Sequence, residues 1–174
     1  MRKFLSGFLL GTLLLPLIGL YITFSGRWPV SALDDPPTWE RMIAQQSLAK
    51  SVSLQAPKVR NPITASSENL RLGIKIYRQN CSGCHGDTDK TSHWGTSAFY
   101  PRVPQFATEP SSKPDWQLFW IVKNGIRYSG MGAWNGELPE DKIWTVVTFL
   151  ANLRALPPDV EKEWLPHENR LSKE

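Results

Sequence analysis

The sequence predicts an all-α protein in which a single N-terminal transmembrane helix precedes one small helical domain. Three observations lead there. From Phe4 to Phe24 the chain is apolar, and no charge falls between Lys3 and Arg27. Three later stretches repeat apolar residues with a helical period, and no stretch alternates as a strand does. The only two cysteines stand together in Cys81-Ser82-Gly83-Cys84-His85.

At 174 residues, 41% hydrophobic and 21% charged, the chain holds one modest domain plus something extra. The extra part is N-terminal. The run through Phe8-Leu9-Leu10 and Leu17-Ile18 is long enough for a helix to cross a bilayer core of ~30 Å. Gly11, Pro16 and Gly19 are tolerable inside it. A cleaved signal peptide is the alternative, with Val30-Ser31-Ala32 as a small-residue cleavage pattern. The run is longer than the ~7–15 residues of a signal core, however, and Arg27-Trp28-Pro29 separates it from that pattern. Arg2 and Lys3 favour a cytoplasmic N-terminus, a bias that Arg27 weakens.

Residues 1–27 therefore read as an uncleaved signal-anchor and 28–66 as a juxtamembrane helix and linker. Residues 67–156 read as the domain and 157–174 as a polar C-terminal tail. Thr38 is an N-cap candidate for a helix reaching about Lys50. From Ala56 to Ser67, Pro57, Pro62 and a Ser/Thr cluster mark a linker. Glu68 to Asn80 places Leu70, Gly73, Ile74 and Tyr77 on one helical face. Pro114 to Asn124 opens with Pro and Asp and stops at Gly125. Pro139 to about Arg154 places Ile143, Val146, Val147 and Leu150 on one face. A glycine on a buried face marks close backbone approach, so Gly73 and Tyr77 point to Val146 and Phe149 across a helix crossing, unless Gly73 is a tolerated glycine costing ~1 kcal/mol.

Two thiols two residues apart, followed by histidine, is the spacing at which a c-type haem is attached. Cys81 and Cys84 would form thioethers with the porphyrin and His85 would bind iron. A structural zinc site needs two further ligands, and His93 and His167 make a poor second pair. A thioredoxin-like dithiol expects a βαβ context, which the flanks lack. Met131 stands between Gly130 and Gly132, which let the backbone approach a flat ligand and turn the thioether inward. It is the candidate sixth ligand and second metal ligand beside His85, with a packing role as its alternative; His93, which would need a tight loop to reach the opposite face of the ring, and His167, among tail charges, are the lesser candidates. Such a pair would keep iron six-coordinate, with no substrate bound.

The formal net charge is +4. With Arg2 and Lys3 set aside, 18 basic residues face 16 acidic ones from Arg27 onward, too small an excess to argue for nucleic acid. Residues 71–127 hold eight basic against four acidic residues, and residues 128–174 five against eight. That asymmetry suits either a solvated surface or a basic docking face for an acidic partner. No acid, base or nucleophile constellation is visible, and Asp87 and Asp89 read as loop residues. The chain is expected not to be an enzyme and to take no small-molecule substrate.

Gly73, Tyr77, Cys81, Cys84, His85, Met131, Val146 and Phe149 together resemble the class I c-type cytochromes. They fall where that family has its N-terminal helix pair, haem motif, methionine ligand and C-terminal helix pair. Tyr100-Pro101-Arg102-Val103-Pro104-Gln105-Phe106 and Phe119 to Arg127 look like a bacterial membrane-anchored monohaem subset, and the likeness extends to Trp39-Glu40-Arg41 and Asn61-Pro62. The resemblance implies a cytochrome c-like fold around one covalent haem c. It also implies a proline carbonyl, Pro104 rather than Pro101, that accepts the Nδ1 proton of His85 and orients it. Tyr100, Trp120 and Trp134 are candidates for the haem wall or for core and interface filling.

The expected function is a carrier of single electrons between respiratory or dehydrogenase protein partners. It would be held in the bilayer of a bacterial inner membrane by one pass, with its haem domain on the periplasmic side. The alternatives are a dedicated haem subunit of a larger oxidoreductase and a haem sensor or peroxidase with a labile sixth ligand.

Overall fold

The structure is a computed structural model that describes residues 2–165, without the side chains of 2–6, 9 and 10. It separates into two units, the first ending at Ser31 and the second beginning at Ala32. Eight helices and no strand occur among the described residues.

The first unit is helix α1, Arg2–Phe24, 23 residues with Pro16 inside it. It occupies the run read as a transmembrane span. Among the described residues, however, no helix is long and apolar enough to cross a membrane.

The second unit is built on α3 (Ser67–Asn80), α6 (Asp115–Asn124) and α7 (Glu140–Asn152). Helix α3 starts where the Ser66 side chain accepts the Asn69 N–H, as an N-cap serine should. Its apolar face, Leu70, Ile74 and Tyr77, is buried, and so is Ile76. Helix α7 is buried continuously from Ile143 to Leu150, because α3 and α6 both pack on it. Thr145 and Thr148 sit in that run without penalty, their hydroxyls donating to the Asp141 and Trp144 carbonyls. The Phe119 and Trp144 rings of α6 and α7 stack at 3.8 Å and 4°. Helix α2 runs from Thr38 to Gln55, one turn beyond the expected end. Val52 and Ala56 explain the extension, since both are buried and α2 contacts α6.

Beyond Pro157 the expected polar tail is replaced, as far as Leu165, by helix α8, Pro158–Trp164. Val160 and Trp164, one turn apart among charged residues, are both in the core. Trp164 meets the Tyr77 and Phe149 rings edge-on at 5.6 and 5.0 Å. Burying such an aromatic outweighs the charges around it, which stay on the outer face. His167 lies outside the described residues.

Candidate haem-binding site

Two short helices that carry no periodic signal shape the site. Helix α4, Ser82–His85, follows α3 after Cys81, and α5 spans His93–Ser97. The α3 register continues through the junction, with Cys81 N–H on the Tyr77 carbonyl and His85 N–H on the Cys81 carbonyl. Cys81, Cys84 and His85 thus share one turn. Both cysteines are free and half-buried. Burial, then the neighbouring Cys84, pushes the Cys81 thiol up to about 12, so it stays a neutral thiol at ordinary pH.

His85 is held from three sides. Its Nδ1 lies 2.9 Å from the Pro104 carbonyl oxygen, which leaves Nε2 for a metal. Its ring stacks on Phe106 at 4.6 Å and 11°. Its own carbonyl accepts the Tyr77 hydroxyl at 3.2 Å, and that hydroxyl also donates to the Gly86 carbonyl at 2.8 Å. Burial lowers the His85 pKa and the Pro104 bond opposes that in part. The neutral imidazole is the form that binds iron. Burial is also the main reason the Tyr77 pKa is raised above its ordinary value.

Gln105, which no spacing rule singles out, holds the site together. It is buried. Its Nε2 donates to the Cys84 and Val103 carbonyls, each at 3.0 Å, and its Oε1 accepts the Ser92 N–H at 2.7 Å. Ser92 caps α5 through Gly95 N–H and donates its hydroxyl to the Gly83 carbonyl at 2.6 Å. The Cys81–His85 turn is therefore fixed to the loop that presents Pro104. A Cβ at Gly86, where φ is +75°, would lie 2.6 Å from Gln105 Oε1, so this close approach requires glycine.

Met131 is not part of that hydrogen-bonded group. It sits on the loop between α6 and α7, half-buried against the same apolar cluster that Cys81 touches. The loop turns sharply: Ile126 N–H donates to the Met131 carbonyl, and Met131 N–H to Ser129 Oγ. It then runs back along α6, with Trp134 and Asn135 N–H on the Val122 and Lys123 carbonyls. Gly125, at φ +69°, permits this return, since a Cβ there would come 2.8 Å from Met131 O. Gly130 lies so close to the Phe99 ring that a Cβ there would clash with it, and that ring meets Trp94 edge-on. Trp94 is exposed, whereas Tyr100, Trp120 and Trp134 are half-buried.

The donor set suits one group. Two thiols and one oriented imidazole on a single turn fit an attached haem. No group of three or more metal-ligating side chains that could hold an ion occurs among the described residues, so a zinc site finds no support in them.

The all-helical fold and the Cys81–His85 turn define residues 68–150 as a class I c-type cytochrome domain, whose cofactor is covalently bound haem c. Those residues match the family model described as cytochrome C oxidase, cbb3-type, subunit III. No curated protein and no solved structure matches the chain. The match covers α3 to most of α7, leaving α2 and α8 outside it. When bound, the haem exchanges single electrons between Fe(II) and Fe(III).

Proposed function

We propose that this domain is an electron carrier in which His85 and Met131 are the axial ligands and Pro104 fixes the imidazole. The observation that carries the reading is the 2.9 Å contact between His85 Nδ1 and Pro104 O, beside two thiols on the same turn. It commits Nδ1 to the protein and leaves Nε2 for iron. Met131 supports the reading by its place on the loop between α6 and α7, half-buried against the same apolar cluster that Cys81 touches. Two axial ligands leave no open position for a substrate, so the protein is a relay and not an enzyme.

The uncharged N-terminal sequence, rather than any span found among the described helices, is the proposed tether, with the haem domain on the periplasmic side of a bacterial inner membrane. The uncharged run from Phe4 to Phe24 supports this, as does the wide exposure of Leu13, Leu15, Leu17 and Phe24. Tethering raises the concentration of the carrier near membrane partners. The partners are other redox proteins. A second reading, a permanent haem subunit of a larger oxidoreductase, is favoured by the family description, which names an oxidase subunit.

The test is an optical and pyridine-haemochrome spectrum of the purified protein and of Met131→Ala. Covalent c-type haem in both, with the far-red sulfur-to-iron band lost in the mutant, is expected. Absence of covalent haem overturns the reading. Retention of the band in Met131→Ala removes Met131 as ligand. Detergent extraction separates the two roles: a lone haem protein indicates a carrier, a stoichiometric partner a subunit.

A further inference from the structure

The guanidinium of Arg102 joins two stretches of chain 70 residues apart. Nη1 donates to the carbonyls of Ser97 at 2.8 Å, Phe99 at 3.0 Å and Ala32 at 3.0 Å. Nη2 faces the Leu33 carbonyl at 3.4 Å and Asp35 Oδ1 at 3.2 Å. Four backbone carbonyls and one carboxylate converge on one fork, an arrangement suited to a planar guanidinium and not to an ammonium. The Asp35 side chain is 74% exposed, so the ion pair alone adds little. The geometry of the whole set matters more.

What Arg102 holds is the loop that orients His85. The next residue, Val103, donates its N–H to the Gly95 carbonyl at 3.1 Å. The one after, Pro104, presents its carbonyl to His85 Nδ1. Gln105 then ties the loop to Cys84 and Ser92. All four consecutive anchor points bind within the haem motif or α5 and its N-cap, Arg102 through the Ser97 carbonyl. Arg102 also reaches the segment that precedes α2.

We propose that Arg102 is a positioning residue through which the segment Ala32–Asp35 sets the angle of the His85 imidazole. The stretch leading out of the N-terminal helix is then a strut of the haem ligand and not slack linker. A partner or a mechanical load that pulls residues 32–35 away from Arg102 would change the properties of the iron without touching the domain core. This inference rests on the reading of His85 as an iron ligand.

The experiment uses the full-length, haem-loaded protein and three variants: Arg102→Lys, Asp35→Arg and Asp34→Arg. The last makes the same charge change as Asp35→Arg beside the contact. Two quantities are read: the electron paramagnetic resonance signal of the oxidised iron, which reports axial-ligand orientation, and the equilibrium constant for electron exchange with a redox mediator. Arg102→Lys and Asp35→Arg are each expected to alter the resonance and to move the constant by about threefold, the scale of coupling through a contact network. Asp34→Arg should leave both as in the wild type.

Lower thermal stability with both readouts unchanged would make Arg102 a structural staple and overturn the proposal. So would an equal effect from Asp34→Arg, which would mark a bulk charge effect. If Arg102→Lys fails to fold, Asp35→Arg decides alone, because Asp35 is largely exposed. A wild type without a histidine-ligated haem would sink the functional reading itself, a different result from either.

Discussion

Gly73 and Phe149 meet where α3 crosses α7, so closely that a Cβ on residue 73 would lie 2.5 Å from Phe149 Cβ and 2.8 Å from the Thr145 carbonyl. Neither neighbour can swing aside, since one is the root of a fully buried side chain and the other is backbone. Gly73→Ala should therefore push the helices apart and cost about 1–3 kcal/mol of overpacking, partly offset by alanine's helix propensity. Urea denaturation checks it. Gly83→Ala, with nothing within 4 Å of the new methyl, should be close to neutral in the same assay.

Gln105→Leu keeps the volume of the side chain and removes its amide. The Cys84 and Val103 carbonyls and the Ser92 N–H lose their bonds to it. Leaving buried polar groups unpaired costs about 1–3 kcal/mol each, so a loss of about 2–3 kcal/mol is expected after partial rescue by water. Equilibrium unfolding of the haem-loaded protein measures it, and a change under about 0.5 kcal/mol would show that the loop is held elsewhere.

Trp164→Ala should destabilise by about 3–5 kcal/mol, the usual range for a buried tryptophan. Its ring packs on Tyr77 and Phe149, and its carbonyl accepts from Arg78 Nη2 and Thr88 Oγ1. A polar tail would not respond in this way. Comparing the thermal midpoint with that of Glu161→Ala, on the same helix, separates burial from a general effect on α8.

Acid should weaken the contact between α3 and α8. The Asp159 pKa is lowered, chiefly by the hydrogen bond from Ser67 and further by the Arg71 guanidinium at 2.7 Å. A carboxylate whose folded pKa lies below its unfolded one stabilises the fold above the unfolded value. That stability is lost as pH falls from there through the folded value. Stability should thus drop on acidification below the ordinary carboxylate pKa, and Asp159→Asn should flatten that part of the profile. Urea midpoints measured across the acid range test it, and an unchanged profile in the mutant would refute the assignment.

Much of the fold was legible where a helix has one wet and one dry face. The Leu70–Gly73–Ile74–Tyr77 spacing marked α3, and the apolar stripe of Ile143, Val146, Val147 and Leu150 marked α7. Helix α8 was not, because two apolar residues among charges form no stripe until Tyr77 and Phe149 supply the other side. Helices α4 and α5 are too short to show a period. The Cys81–His85 turn was legible because covalent attachment dictates its spacing. Arg102 and Gln105 were not, since their partners are mostly backbone carbonyls and amides, and any sequence offers those at every position.

Helix α3, which leads into the haem motif, finds its packing partners in α7 and α8, the last described helices of the chain. Contacts between distant parts of a chain form only after the intervening segment is available. During synthesis the motif therefore emerges well before the surfaces that bury Tyr77 beside it exist. The order of the helices along the chain leaves Tyr77 without its α7 and α8 cover until those helices have been made. Tyr77, whose hydroxyl braces the His85 and Gly86 carbonyls, is thus sealed into the core only after the motif it braces has been made.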